Sequence, residues 1–204
     1  MELIFNNQPY MTFLMLVVEK LADIGASLDC ISHLDLGAAE GRNFALQRKT
    51  VGADDLSVLF SYAKKLACFI TTSKSLQSLS LKNSGLQIEH LEIVIASLQN
   101  CKALASIDFS GNNFNLENDD SIDLIDVLVN SIDQSSSITS IALMGCYLND
   151  QDADQLVVLL ERLPGIALDL TDNRQISKNH PIFNFKNVAS DTSRSGLQSS
   201  SSWS

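Results

Sequence analysis

Leu104-Ala-Ser-Ile107-Asp-Phe109-Ser-Gly-Asn112-Asn-Phe114 decides how this chain folds. Its apolar residues at 104, 107, 109 and 114, with asparagine at 112, follow the pattern L-x-x-L-x-L-x-x-N/C-x-L. The period of two through Ile107 and Phe109 belongs to a short strand with one face buried, and Ser-Gly-Asn-Asn behind it is turn chemistry. The pattern recurs in full as Ile138-Thr-Ser-Ile141-Ala-Leu143-Met-Gly-Cys146-Tyr-Leu148. It recurs with serine at the polar position as Leu76-Gln-Ser-Leu79-Ser-Leu81-Lys-Asn-Ser84-Gly-Leu86. Weaker copies flank these, at Ile31-Ser-His-Leu34-Asp-Leu36-Gly-Ala-Ala39 and Gly165-Ile-Ala-Leu168-Asp-Leu170-Thr-Asp-Asn173, as expected of units that cap a stack.

The copies begin at 31, 76, 104, 138 and 165, so the steps are 45, 28, 34 and 27 residues, and the longer steps carry insertions. The first insertion, 40–51, holds Arg42, Arg48 and Lys49 and is a candidate functional loop or a plain solvated connector. Between copies the apolar period shifts to about 3.6, which predicts one helix per unit. The faces are Leu56, Leu59, Phe60, Ala63, Leu66, Ala67 and Ile70; then Ile88, Leu91, Val94, Ile95 and Leu98; then Ile122, Ile125, Leu128, Val129 and Ile132; then Ala153, Leu156, Leu159, Leu160 and Leu163. Asn118-Asp119-Asp120 has the chemistry of a helix N-cap. An N-terminal strand at 2–5, followed by a helix over 9–26 behind Pro9, builds a cap from the same unit.

Repeats near 28 residues with a full helix resemble the ribonuclease-inhibitor class of leucine-rich-repeat proteins. The resemblance covers about 28–176. It implies an α/β solenoid with short parallel strands on the concave side and helices on the convex side, joined by right-handed crossovers. The domain organisation expected is a repeat domain over 1–186, with a cap at about 1–30 and repeats at about 31–176. A disordered tail follows over 187–204, where Ser190, Ser193, Ser195 and Ser199 to Ser202 dominate. The low regularity and acidic surface are also similar to short leucine-rich-repeat effectors that intracellular bacterial pathogens deliver into host cells. That second resemblance implies a non-catalytic binder of a host protein or of another effector.

Composition narrows the function classes. A formal net charge of -10, from 24 acidic and 14 basic residues, repels nucleic acid and anionic membrane surfaces. The most apolar window, 10–18, is too short to span a bilayer, and no basic segment precedes it, so neither a membrane span nor a Sec signal is expected. Cys30, Cys68, Cys101 and Cys146 contain no Cys-x-x-Cys pair and read as reduced, buried small residues, although their even number leaves a disulfide open. The setting expected is a reducing cytosol, including a host cytosol reached by a secretion route that needs no Sec signal.

No catalytic, cofactor or metal constellation stands out. His33 with Asp35 shares a strand face, but His33, His90 and His180 lie in no nucleophile or metal pattern, and His90 reads as a surface residue. The aspartates 119, 120, 123 and 126 lack the glycine and the bidentate glutamate of a calcium loop. The chain is therefore read as not an enzyme and as needing no cofactor. The alternatives are an adaptor module of a larger assembly, or an enzyme site in the 40–51 insertion.

Alternation along each strand then defines a binding face. It comprises His33 and Asp35; Ser78, Ser80 and Lys82; Ser106, Asp108 and Ser110; Ser140, Ala142 and Met144; and Ala167, Asp169 and Thr171. Asp35, Asp108 and Asp169 occupy one repeat position and form an acidic ladder suited to a basic protein partner; the resemblance to ribonuclease-inhibitor-type proteins implies that this partner is an enzyme held inactive. Tyr147, beside a turn, is the expected anchor. The free protein is expected to be a monomer.

Overall fold

The computed structural model describes residues 2–4, 31–37, 53–114, 123–133 and 137–190, with backbone alone for 2–4, 53–58 and 133. Its strands in chain order are β1 (Glu2–Ile4), β2 (His33–Asp35), β3 (Ser78–Ser80), β4 (Ser106–Asp108), β5 (Ser140–Ala142), β6 (Ala167–Asp169) and β7 (Val188–Ala189). They make a single sheet in the order β1 to β7, and every neighbouring pair is parallel. Parallel neighbours require a crossover. Among the described residues four of these contain helices, α1 (Ala53–Thr72), α2 (Ile88–Ser97), α3 (Leu124–Asp133) and α4 (Asp150–Arg162), each packed on the next. The chain is thus α/β with an all-parallel sheet.

Register follows the sequence pattern residue for residue. Leu34, Leu79, Ile107, Ile141 and Leu168 are cross-strand partners, each 1% exposed, and they share one core with the apolar helix faces. The row beyond each strand repeats one bond: Leu36 N–H donates to Ser80 O, Leu81 to Asp108 O, Phe109 to Ala142 O, Leu143 to Asp169 O and Leu170 to Ala189 O, all at 2.8–2.9 Å.

The turn that follows is also repeated. Asn83, Gly111, Gly145 and Asp172, seven positions into their copies, all have left-handed backbone, with φ of 51°, 73°, 63° and 62°. Glycine, asparagine and aspartate are the residues that tolerate this region best. At Gly111 close approach adds to the demand, since a Cβ there would lie 1.9 Å from Asn83 Oδ1.

Helix starts obey local chemistry. Asn149 caps α4 by accepting from Gln151 and Asp152 N–H, while Asp152 returns a bond to Asn149 N–H at 2.8 Å. Burial pushes the Asp152 carboxyl above its ordinary value in spite of that bond. Before α3 the cap is Asp123, whose Oδ1 accepts from Ile125 and Asp126 N–H at 3.1 and 3.0 Å. The expected cap at 118–120, the 9–26 helix and the 40–51 insertion lie outside the described residues, as does Cys30. Among the described residues no helix is long and apolar enough to cross a membrane.

Four expectations need correction. Phe60, assigned to a core face, is 37% exposed. His90, assigned to the surface, is wholly buried, because α1 packs over the start of α2 and Phe60 lies against the imidazole. Cys101 and Cys146 are buried as expected, but Cys68 is exposed on α1. The tail does not begin at 187, since Val188–Ala189 pair with β6 and Ser190 is buried. The chain returns to the sheet through a 3-10 turn, Pro181–Asn184, capped by His180 Nδ1, which accepts from Ile182 N–H at 3.2 Å.

Shortening the chain to end at Lys186 is therefore expected to cost roughly 1–3 kcal/mol, because Leu168 and Leu170 N–H lose their acceptors and Asn187 Nδ2 no longer reaches Ile166 O. Ending it at Ser190 retains those bonds and is expected to leave the urea midpoint near that of the full chain. Equal midpoints for the two shortened chains would show that β7 adds nothing to stability.

Candidate functional site

The sheet has one face under the helices and one open. Two rows flank the buried central row and point to the open face. The first runs His33, Ser78, Ser106, Ser140 and Ala167; the second runs Asp35, Ser80, Asp108, Ala142 and Asp169. His33 and Ala167, at the ends, are exposed and the rest are half-buried. The face is shallow, since nine of these ten side chains are serine, alanine or aspartate between strands only about 4.8 Å apart.

The rows end differently from the simple alternation. Lys82 and Met144 are half-buried, but Ser110 and Thr171 are buried, so neither belongs to the open face. The cause is the turn. Ser110 Oγ accepts from Met144 N–H of the neighbouring copy at 3.2 Å, and Thr171 Oγ1 donates to the Asp169 carboxylate two residues earlier in its own copy.

The three aspartates share a structural duty. Asp35 Oδ1 accepts Gly37 N–H at 2.9 Å, Asp108 Oδ1 accepts Ser110 N–H at 2.8 Å, and Asp169 Oδ1 accepts Thr171 N–H at 3.0 Å. Each carboxylate folds back on the backbone two residues on, the local bond that aspartate favours where a strand turns. Ser80 separates Asp35 from Asp108, and Ala142 separates Asp108 from Asp169, which puts the acids two strands, or about 9.6 Å, apart. That is near one Debye length at 0.1 M salt, so each position is largely screened from the next. Among the described residues no three of histidine, cysteine, aspartate and glutamate gather as a metal site.

Beneath this face runs a polar ladder. Asn112 Nδ2 donates to Leu81 O at 2.9 Å and to Phe109 O at 2.7 Å, while its Oδ1 accepts from Ser84 Oγ at 3.0 Å. Cys146 Sγ donates to Phe109 O at 3.4 Å, and burial holds its thiol up at about 12. Asn173 Nδ2 donates to Leu143 and Leu170 O, and its Oδ1 accepts from Cys146 and Leu148 N–H. At Asn112, Cys146 and Asn173 the N/C position of the pattern therefore stitches a turn to the one before it, and it is not available to a ligand.

Two features at the rim escape the alternation argument. Tyr147 is 58% exposed and has φ of 62°, a conformation that a bulky side chain adopts only under constraint. His33 Nδ1 lies 2.9 Å from Ser32 Oγ, its neighbour in sequence; sequence reasoning passed over this serine. Charge is also distributed unevenly, a point the net value conceals. Twelve of the 24 acidic residues fall within 111–172, where Arg162 is the one base. Of these, Asp123, Asp126, Asp150, Asp152, Asp154 and Glu161 lie in or beside α3 and α4, away from the open strands. Asp150 accepts from Ser177 N–H and Oγ, and those bonds hold its carboxyl below its ordinary value.

No model of a known protein family matches this chain, and no curated protein is significantly similar to it.

Proposed function

We propose that the chain is a leucine-rich-repeat protein of the ribonuclease-inhibitor type, a short solenoid whose open strand face binds another protein without catalysing a reaction. The observation that carries this reading is the recurrence of one bonded unit: strand, left-handed turn at the same position, and a polar side chain stitched to the previous turn at 112, 146 and 173, with Ser84 of the first such turn meeting Asn112. Units that rely on their neighbours in this way make extended surfaces on which binding is the natural function. Seven strands at about 4.8 Å spacing span roughly 29 Å. That suits an interface near the usual ~800 Å² per partner.

The partner proposed is an enzyme carrying a basic patch, held inactive by the bound solenoid. Small floor residues admit a protruding loop, Asp35, Asp108 and Asp169 select for positive charge, and Tyr147 offers a rim contact. The setting proposed is a host-cell cytosol after secretion, in line with the resemblance to short bacterial effectors.

Charge reversal is a poor test, because an arginine at 35, 108 or 169 would also lose the turn bond. Asparagine keeps an acceptor oxygen and removes the charge. The triple variant Asp35→Asn, Asp108→Asn, Asp169→Asn is expected to keep its urea midpoint to within about 1 kcal/mol and to associate more slowly at low salt with a partner recovered by cross-linking from host lysate. Ser106→Trp, which fills the middle of the floor, is expected to abolish the contact. A partner that binds both variants with the parent's affinity and salt dependence would exclude the open face as its site.

A further inference from the structure

His90 is the most anomalous polar group among the described residues. It is 0% exposed, and neither Nδ1 nor Nε2 has a hydrogen-bond partner. A buried imidazole normally satisfies at least one ring nitrogen, because leaving a polar group dry costs on the order of 1–3 kcal/mol. The ring lies near the start of α2, in the interface with α1, 4.5 Å between centroids from Phe60 at a tilt of 55°. Phe60, which lies against the imidazole, is itself partly exposed.

The elements packed against α2 are α1 and α3, with the 3-10 turn Leu98–Asn100 at its end. Their described charged side chains are Lys64 and Lys65 on α1, Glu89 and Glu92 on α2 and Asp126 on α3. Glu89 favours the charged ring, but burial outweighs it and holds the imidazole below its ordinary value. The folded state therefore keeps the ring neutral, and the open state gains a proton wherever the free imidazole takes one. By sign, a depressed basic group supplies stability that is complete above the unfolded value of 6.5 and is lost as pH falls below it.

We propose that His90 makes the seam between α1 and α2 an acid-sensitive latch, which stays closed around the neutral ring and opens, releasing Phe60, when the ring is protonated. The device acts on the seam between the units of β2 and β3, and so on the first part of the stack rather than on its acidic C-terminal part. It needs no partner, and it stands whether or not the open face binds a protein.

Amide hydrogen exchange on the full chain at pH 7.5 and pH 5.0, corrected for intrinsic rates, tests it. A free imidazole with a pKa of 6.5 favours the open state by up to about 30-fold over that interval, so opening constants for α1 and α2 amides are expected to rise by as much as that, with α4 amides unchanged. His90→Leu and His90→Met place an apolar side chain of comparable size at the seam. Either is expected to remove the pH dependence while α1 and α2 stay protected at both pH values. The proposal is overturned if the parent shows no rise, if a folded His90→Leu or His90→Met protein shows the parent's rise, or if α4 amides open as much as those of α1 and α2.

Discussion

Ile107→Ala is expected to lower the free energy of unfolding by about 2–5 kcal/mol, a large share of what a domain of this size possesses. Ile107 lies in β4, paired with Leu79 on one side and Ile141 on the other, and it is 1% exposed. Removing three carbons there loses their transfer free energy and leaves a cavity between two strand-helix units. The backbone cannot close it readily, because Phe109 N–H and Leu81 N–H hold β4 to both neighbours on either side of the gap. Exchange protection in β3 and β5 should fall with that in β4, since each unit is supported mainly by those beside it. A urea midpoint within error of the parent would mean that the assigned central row does not carry the core.

Asn173→Ala is the second large effect expected, about 3–5 kcal/mol, although the residue is polar and far from the centre of the sheet. Its amide serves four backbone groups: Leu143 O at 2.7 Å, Leu170 O at 3.0 Å, Cys146 N–H at 2.9 Å and Leu148 N–H at 3.1 Å. Alanine leaves all four without that partner in a buried turn, and each buried unsatisfied group costs on the order of 1–3 kcal/mol, partly recovered by relaxation or an entering water. The neighbouring Asp172, exposed and with φ of 62°, is the control. Asp172→Gly suits the left-handed backbone and is expected to change stability by less than about 1 kcal/mol. Thermal and urea unfolding of the two variants should differ clearly, and similar values would mean that the ladder is not a principal support of the turns.

Both predictions rest on positions legible in the sequence, and the reason is local. The central row and the helix faces follow from periodicity, because a strand that buries one side must alternate and a helix that buries one side must repeat near 3.6. Ser84, Asn112, Cys146 and Asn173 could be aligned by counting, since each closes the same turn in its own copy. The left-handed positions beside them were legible in part, as Asn83, Gly111, Gly145 and Asp172 are the residue types such a backbone selects.

The proposed binding face was legible only up to the end of the strands. Alternation located Asp35, Asp108 and Asp169 on the open side, but it could not tell a free carboxylate from one folded onto the backbone two residues away. Nor could it tell that Ser110 and Thr171 leave the face, because that depends on the neighbouring turn as well as on their own.

By itself, then, the sequence determined the repeating unit, the register of the apolar row and the α/β class. These depend on interactions within a unit or on a position that recurs between units, and both are written as spacing. Only the tertiary structure decided which polar groups are dry. His90 is buried because Phe60, thirty positions earlier, covers it when α1 meets α2, and Ser190 is buried because the chain returns to β6 through the His180 turn. Burial of a polar side chain depends on residues brought close from distant parts of the chain, and no local period records which residues those will be.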